Sequence, residues 1–268
     1  MKEFKNRVAV VTGGASGLGY AMCERFAREG MRIVMADISG PHLEDAAAGL
    51  RAGGAEVLAV ACDVSKWEEV LALAAATKQK WGGAHIVCNN AGVRTMTRIW
   101  ETSIEDWRWA VGVDLWGVIH GVRAFLPDML ARGEPGHIVN TASTAGFITA
   151  RMNAPYAVSK SGVIALSETL YNELRHDKLP VSASVLCPGT VRTRLRENSA
   201  KLVPSGAPVA PHPAGKLPNE RSPQEVAEMV FDAIRNDRFW ILTHASVHDD
   251  IERRAESIIR TGAVVSAN

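Results

Sequence analysis

The chain has 268 residues, 47% hydrophobic and 22% charged, enough for a substantial core in one large α/β domain or two small ones. Its 30 basic and 29 acidic residues leave a net charge of +1, so no global field draws it to nucleic acid or an anionic membrane. No apolar stretch approaches the ~18 residues of a membrane span.

The charged residues 1–7 lead straight into the apolar run 8–11. Glycines at 13, 14, 17 and 19 interrupt that run, unlike the core of a signal peptide, and a cytoplasmic protein is expected. Strands are predicted at 7–11, 32–36, 56–62, 85–88, 137–141 and 181–186, and helices at 17–29, 41–52, 66–81, 103–131 and 155–178. Such alternation argues for an α/β fold with a parallel sheet covered on both faces. Nothing before about residue 190 reads as a domain boundary, so a single domain is expected.

The pattern then changes. Residues 204–223 hold Pro204, Pro208, Pro211, Pro213 and Pro218, with Pro223 at the edge. Regular structure is excluded there, and 190–222 is predicted to be a flexible substrate lid. A C-terminal cap over 223–268 follows, with a helix at 223–235, a strand at 239–242 and a last helix at 247–261. Cys23, Cys62, Cys88 and Cys187 are widely spread with no CxxC pair; three lie in strand-like runs, as buried thiols of a reducing compartment do.

Thr12-Gly-Gly-Ala-Ser-Gly-Leu-Gly19 closes the first strand and opens the first helix. Glycines at 13, 17 and 19 let backbone approach a pyrophosphate at the helix N-terminus, where amides and dipole favour anions. Asp37 ends the second strand, eighteen residues after Gly19, where a carboxylate accepts from ribose hydroxyls. It would also repel a 2′-phosphate, so NAD is favoured over NADP. The plainer reading of Asp37 is a turn cap.

Tyr156-Ala-Val-Ser-Lys160 places a phenol and an ammonium one helical turn apart. A free phenol ionises near pH ~10, and an adjacent cation favours the phenolate, giving a base or acid suited to an alcohol oxygen. The spacing alone occurs by chance in many helices. Ser143, thirteen residues upstream, is by itself more often a turn residue than a catalyst.

These motifs, in order, resemble the classical short-chain dehydrogenase/reductase family from residue 5 to about 195. The glycine motif is of the family's TGxxxGxG type, Asn89-Asn-Ala-Gly92 resembles its NNAG, and Pro188-Gly189 ends the sixth strand. The resemblance implies a single-domain, Rossmann-type doubly wound sheet of about seven strands. It implies nicotinamide-cofactor contacts at Gly13, Ser16, Gly17, Leu18, Gly19, Asp37, Ile38, Asn90, Ala91 and Gly92, with Asp63 and Val64 at the adenine. Tyr156, Lys160, Pro188, Gly189, Val191 and Thr193 would meet the nicotinamide end. Tyr156 would exchange the proton, Lys160 would assist it, and Ser143 would donate to the substrate oxygen. No metal site is implied. One departure stands out: Val113-Asp-Leu-Trp-Gly117 carries Asp114 where the family has a catalytic asparagine that distorts its helix.

The substrate pocket is read as Ser143, Thr144, Ala145, Phe147, Met152, Tyr156, Gly189 and the 192–220 loop. These residues are mostly apolar or small, which suggests a hydrophobic or aromatic secondary alcohol and its ketone. Arg94 and Arg151 stand on loops, where arginines are usually solvated; the alternative is contact with an acidic group. Trp100, Trp107, Trp109 and Trp116 crowd into seventeen residues; Trp109 and Trp116, seven apart, are expected on one helix face, for core or subunit packing, with substrate stacking as the alternative. The resemblance also implies a homodimer or homotetramer, although the segment at 239–244 replaces the family's usual ending. The competing readings are an NADPH-dependent biosynthetic carbonyl reductase and a catalytically silent protein that senses the NAD/NADH ratio.

Overall fold

The computed structural model describes residues 1–38, 40–213, 215, 217, 219–262 and 264. Seven parallel strands form one sheet in the order β3-β2-β1-β4-β5-β6-β7. They are β1 Val8–Thr12, β2 Arg32–Asp37, β3 Val57–Ala61, β4 Ile86–Asn89, β5 Gly136–Thr141, β6 Val181–Cys187 and β7 Trp240–Leu242. Strand order reverses between β1 and β4, and a crevice opens at the carboxyl ends of strands at such a point.

Alternate side chains of the central strands feed two cores. Ala9, Val11, Ile33 and Met35 pack on one face with Met22, Phe26, Phe231 and Ile234. Val8, Val10, Val34 and Ala36 pack on the other with Leu73, Phe125, Met129 and Ile138. Both faces being apolar explains why these strands read as continuous hydrophobic runs. The first core is covered by α1 (Gly17–Arg28), α2 (Gly40–Ala52) and α8 (Pro223–Asn236). The second is covered by α3 (Trp67–Trp81), α5 (Gly117–Arg132) and α6 (Ala154–His176).

Two helical expectations need correction. The helix predicted over 103–131 is α4 (Ile104–Val111), then a π-helical turn at Gly112–Trp116, then α5. A π turn inserts a residue into the helical phase. Trp109 and Trp116 therefore end in different surroundings: Trp109 lines a cavity, whereas Trp116 is 52% exposed beside His120. Trp100 is 77% exposed.

The segment predicted as a flexible lid contains α7 (Leu195–Leu202) and is tied down on several sides. Arg94 N donates to Ser199 Oγ at 2.9 Å, and Ser205 donates to Asp106 through N at 3.1 Å and Oγ at 2.6 Å. Glu220 accepts from Arg192 at 2.9 Å. Pro218 lies outside the described residues. The last helix, α9 (Ser246–Glu256), is shorter than predicted and gives way to a π turn at Ser257–Thr261.

Candidate active site

The carboxyl ends of the strands open onto a cavity of about 710 Å³. Every residue read as a cofactor contact in the sequence lines it, together with Ser143, Tyr156 and Lys160. At one end the glycine loop is built for close approach. Gly13 and Gly17 hold φ of +65° and +53°. A Cβ on Gly19 would sit 2.0 Å from the Gly13 carbonyl oxygen, so the α1 N-terminus can press against the loop only without a side chain. Ser16 starts α1 without a side-chain cap, leaving first-turn amides turned to the cavity for an anion. Asp37 accepts from Ala15 N at 3.1 Å, which aims its carboxylate at the same loop.

The Thr12 hydroxyl ties this loop to the turn after β4, accepting from Asn90 N at 2.9 Å and Ala91 N at 3.1 Å. Asn90 Nδ2 donates to the Thr12 carbonyl at 3.0 Å. Beneath them, Asn89 donates to Asn140 at 2.8 Å and Asn140 to Ser167 at 3.0 Å, a buried polar ladder that fixes β4, β5 and α6 together. A glycine cradle, an open helix N-terminus and the cavity-lining carboxylate of Asp37 fit a nicotinamide dinucleotide.

At the other end, α6 delivers Tyr156 and Lys160, both buried. Lys160 Nζ donates to the Thr141 carbonyl at 3.0 Å and lies 3.3 Å from Asp114 Oδ1. It stands 5.4 Å from the centre of the Tyr156 ring. Asp114 sits fully buried in the π turn, does not line the cavity, and accepts from Val93 N at 3.1 Å. Burial pushes its carboxyl above the usual range, against the opposing pull of Lys160. Gly92 admits this cluster: a Cβ there would meet Asp114 Oδ1 at 2.9 Å. Ser143 starts a 3₁₀ turn at Thr144–Gly146, its Oγ accepting from Ala145 N at 3.1 Å.

The substrate side differs from the expectation. Ala145, Thr144 and Gly189 line the cavity, but Phe147 and Met152 do not. Phe147 packs against Trp240 at 5.6 Å, and Met152 adopts φ +58° and turns outward, 43% exposed. Ile148, Ala150, Asn153, Trp109 and His244 take their place. His244 packs so close that a Cβ on Gly189 would lie 2.7 Å from its Nδ1, which accounts for the glycine. Arg151 is exposed as read, whereas Arg94 is half-buried with its Nε sealed off and unpartnered. No sequence signal distinguished the two loop arginines.

Residues 7–202 match the family model described as short chain dehydrogenase. The chain belongs to the short-chain dehydrogenase family. The 1-deoxy-11-beta-hydroxypentalenate dehydrogenase of Streptomyces exfoliatus is 36% identical over 260 residues, spanning 96% of this chain and 90% of that protein. A C alpha-dehydrogenase from a Sphingobium species is 30% identical over 282 residues, spanning 100% and 90%. Among solved structures, a family member from Burkholderia phymatum in complex with NAD superposes with a TM-score of 0.92 at 38% identity, covering 100% of this chain and 99% of that one. A metagenomic short-chain oxidoreductase in complex with NADP gives 0.73 at 26%, covering 90% and 97%. The seven-stranded sheet and the cavity at its switch point are thus those of a nicotinamide-dependent oxidoreductase.

Proposed function

We propose that this chain is an NAD(H)-dependent dehydrogenase that interconverts a hydrophobic or aromatic secondary alcohol and its ketone. The observation that carries the reading is the buried Asp114–Lys160–Tyr156 cluster opening onto the cavity that also holds the glycine loop. Tyr156 takes the alcohol proton during oxidation and returns it during reduction. Lys160 holds a positive charge beside the phenol, where negative charge develops as the proton moves. Two of its three donors are directed to Thr141 and Asp114, which holds the ammonium in place. Ser143 donates to the substrate oxygen once its weak 3.4 Å contact with the Pro188 carbonyl is exchanged. Bound nicotinamide supplies the hydride acceptor or donor. Asp37 and the NAD complex of the Burkholderia relative support NAD over NADP. Relatives named for hydroxypentalenate support a hydroxyl on a largely hydrocarbon skeleton.

A panel of aromatic and cyclic secondary alcohols with NAD, followed by NADH absorbance, tests this reading. Turnover is expected, with Tyr156→Phe reducing it by about 10³-fold while NAD binding persists. No turnover on any alcohol, with NAD binding unchanged in that variant, would favour the silent sensor. Half-exposed Trp116 and Val158, on neighbouring elements, also support pairing of two copies of the chain. Light scattering should then report a dimer or tetramer, and Trp116→Lys should shift it toward monomer.

A further inference from the structure

Arg94 leaves the turn after β4 with its backbone pinned to Ser199 of α7, so the side chain is held between lid and catalytic helix. Its guanidinium carbon lies 5.4 Å from the centre of the Tyr156 ring. The Nε atom is sealed from water without a hydrogen-bond partner. Among the described residues Arg94 forms no ion pair within 4.0 Å, whereas Arg192 on the same lid is paired with Glu220 at 2.9 Å. The carboxylate that acts on it, Asp114, is already engaged by Lys160. Asp250, which also lines the cavity, is tied to Arg253. Burial pulls the Arg94 pKa down, and Tyr156 and Asp114 oppose that shift without cancelling it. Arg196 adds a second positive charge nearby.

We propose that Arg94 anchors a carboxylate of the substrate, so that the enzyme prefers a hydroxy acid or keto acid to a neutral alcohol or ketone. A planar guanidinium beside the reacting oxygen's base offers paired donors to a carboxylate and fixes which face of the carbinol meets Tyr156. The inference rests on the dehydrogenase reading and sharpens its substrate class.

The test compares two keto acids, 4-acetylbenzoate and 3-oxocyclohexanecarboxylate, with their methyl esters, using NADH and the wild type, Arg94→Met and Arg94→Lys. The acid-to-ester ratio of kcat/KM should be about tenfold or more in the wild type. It should collapse to near one in Arg94→Met and recover in part in Arg94→Lys. Calorimetric titration of both acids into the enzyme with NAD gives a readout without turnover: binding should weaken about tenfold in Arg94→Met. Binding that depends on Arg94 without turnover would support the anchor while removing the dehydrogenase reading. Turnover with equal loss on acid and ester in Arg94→Met would overturn the anchor and leave Arg94 as an electrostatic neighbour of Tyr156. Failure of either acid to bind the wild type would also overturn it.

Discussion

Among single side chains, Asp114 is where charge matters most, because it is fully buried against Lys160. Burial holds its proton to higher pH than an ordinary carboxyl keeps it; above that pH the carboxylate lies 3.3 Å from Lys160 and offsets the ammonium. Asparagine has the same shape and accepts the Val93 amide without charge. Asp114→Asn should therefore remove the carboxylate that offsets the Lys160 ammonium. The rising limb of log kcat/KM for alcohol oxidation should move to lower pH by about one unit. An unmoved profile would mean that Asp114 is already neutral throughout the working range. Asp37 gives a second prediction at this scale: Asp37→Ala removes the carboxylate that repels a 2′-phosphate. The NAD-to-NADP ratio of kcat/KM should fall by about tenfold or more, as expected when a single charge contact sets selectivity.

Between elements, the glycine loop and the lid set the limits of the cavity. At Gly19 an added methyl would lie 2.0 Å from the Gly13 carbonyl oxygen, a backbone atom that cannot swing aside, and 2.8 Å from Asn90 Nδ2. Gly19→Ala should cost about 1–3 kcal/mol of stability and weaken NAD binding, read by thermal melting and by titration. The lid depends on Asp106, which accepts two hydrogen bonds from Ser205. Asp106→Ala should release it, so that trypsin cuts after Arg194, Arg196 or Lys201 several times faster than in the wild type. Equal cutting rates would show that the contacts of Ser199 and Glu220 suffice. The α7 helix escaped sequence reading because Leu195–Leu202 is short and polar and only Ser199 is buried. Its position depends on Arg94 N, over a hundred residues away in the chain.

Across the whole molecule, stability falls toward acid for an identifiable reason. His137 is fully buried on β5, its Nε2 bonded to Ser184 Oγ at 2.7 Å, and burial lowers its pKa to about 3. The unfolded chain takes up a proton near pH ~6.5 that the folded chain refuses, so stability is lost as pH falls below that value, by roughly 1.4 kcal/mol per unit. His137→Leu should remove about 2 kcal/mol of the loss between neutral pH and pH ~5, measured by denaturant melts at both. All four cysteines are free and buried, and burial lifts Cys62 and Cys187 to about 12, so neither is a nucleophile at neutral pH. The sequence by itself determined the order of the seven strands, the dinucleotide loop and the Ser143–Tyr156–Lys160 set. Hydrophobic period, glycine and short helical spacing are local properties of the chain. Only the tertiary structure decided that Phe147 and Met152 turn away from the cavity, that a π turn separates Trp109 from Trp116, and that Arg94 is sealed beside Tyr156. Each of these depends on contacts between residues far apart in sequence, and burial exists only once those surfaces have met.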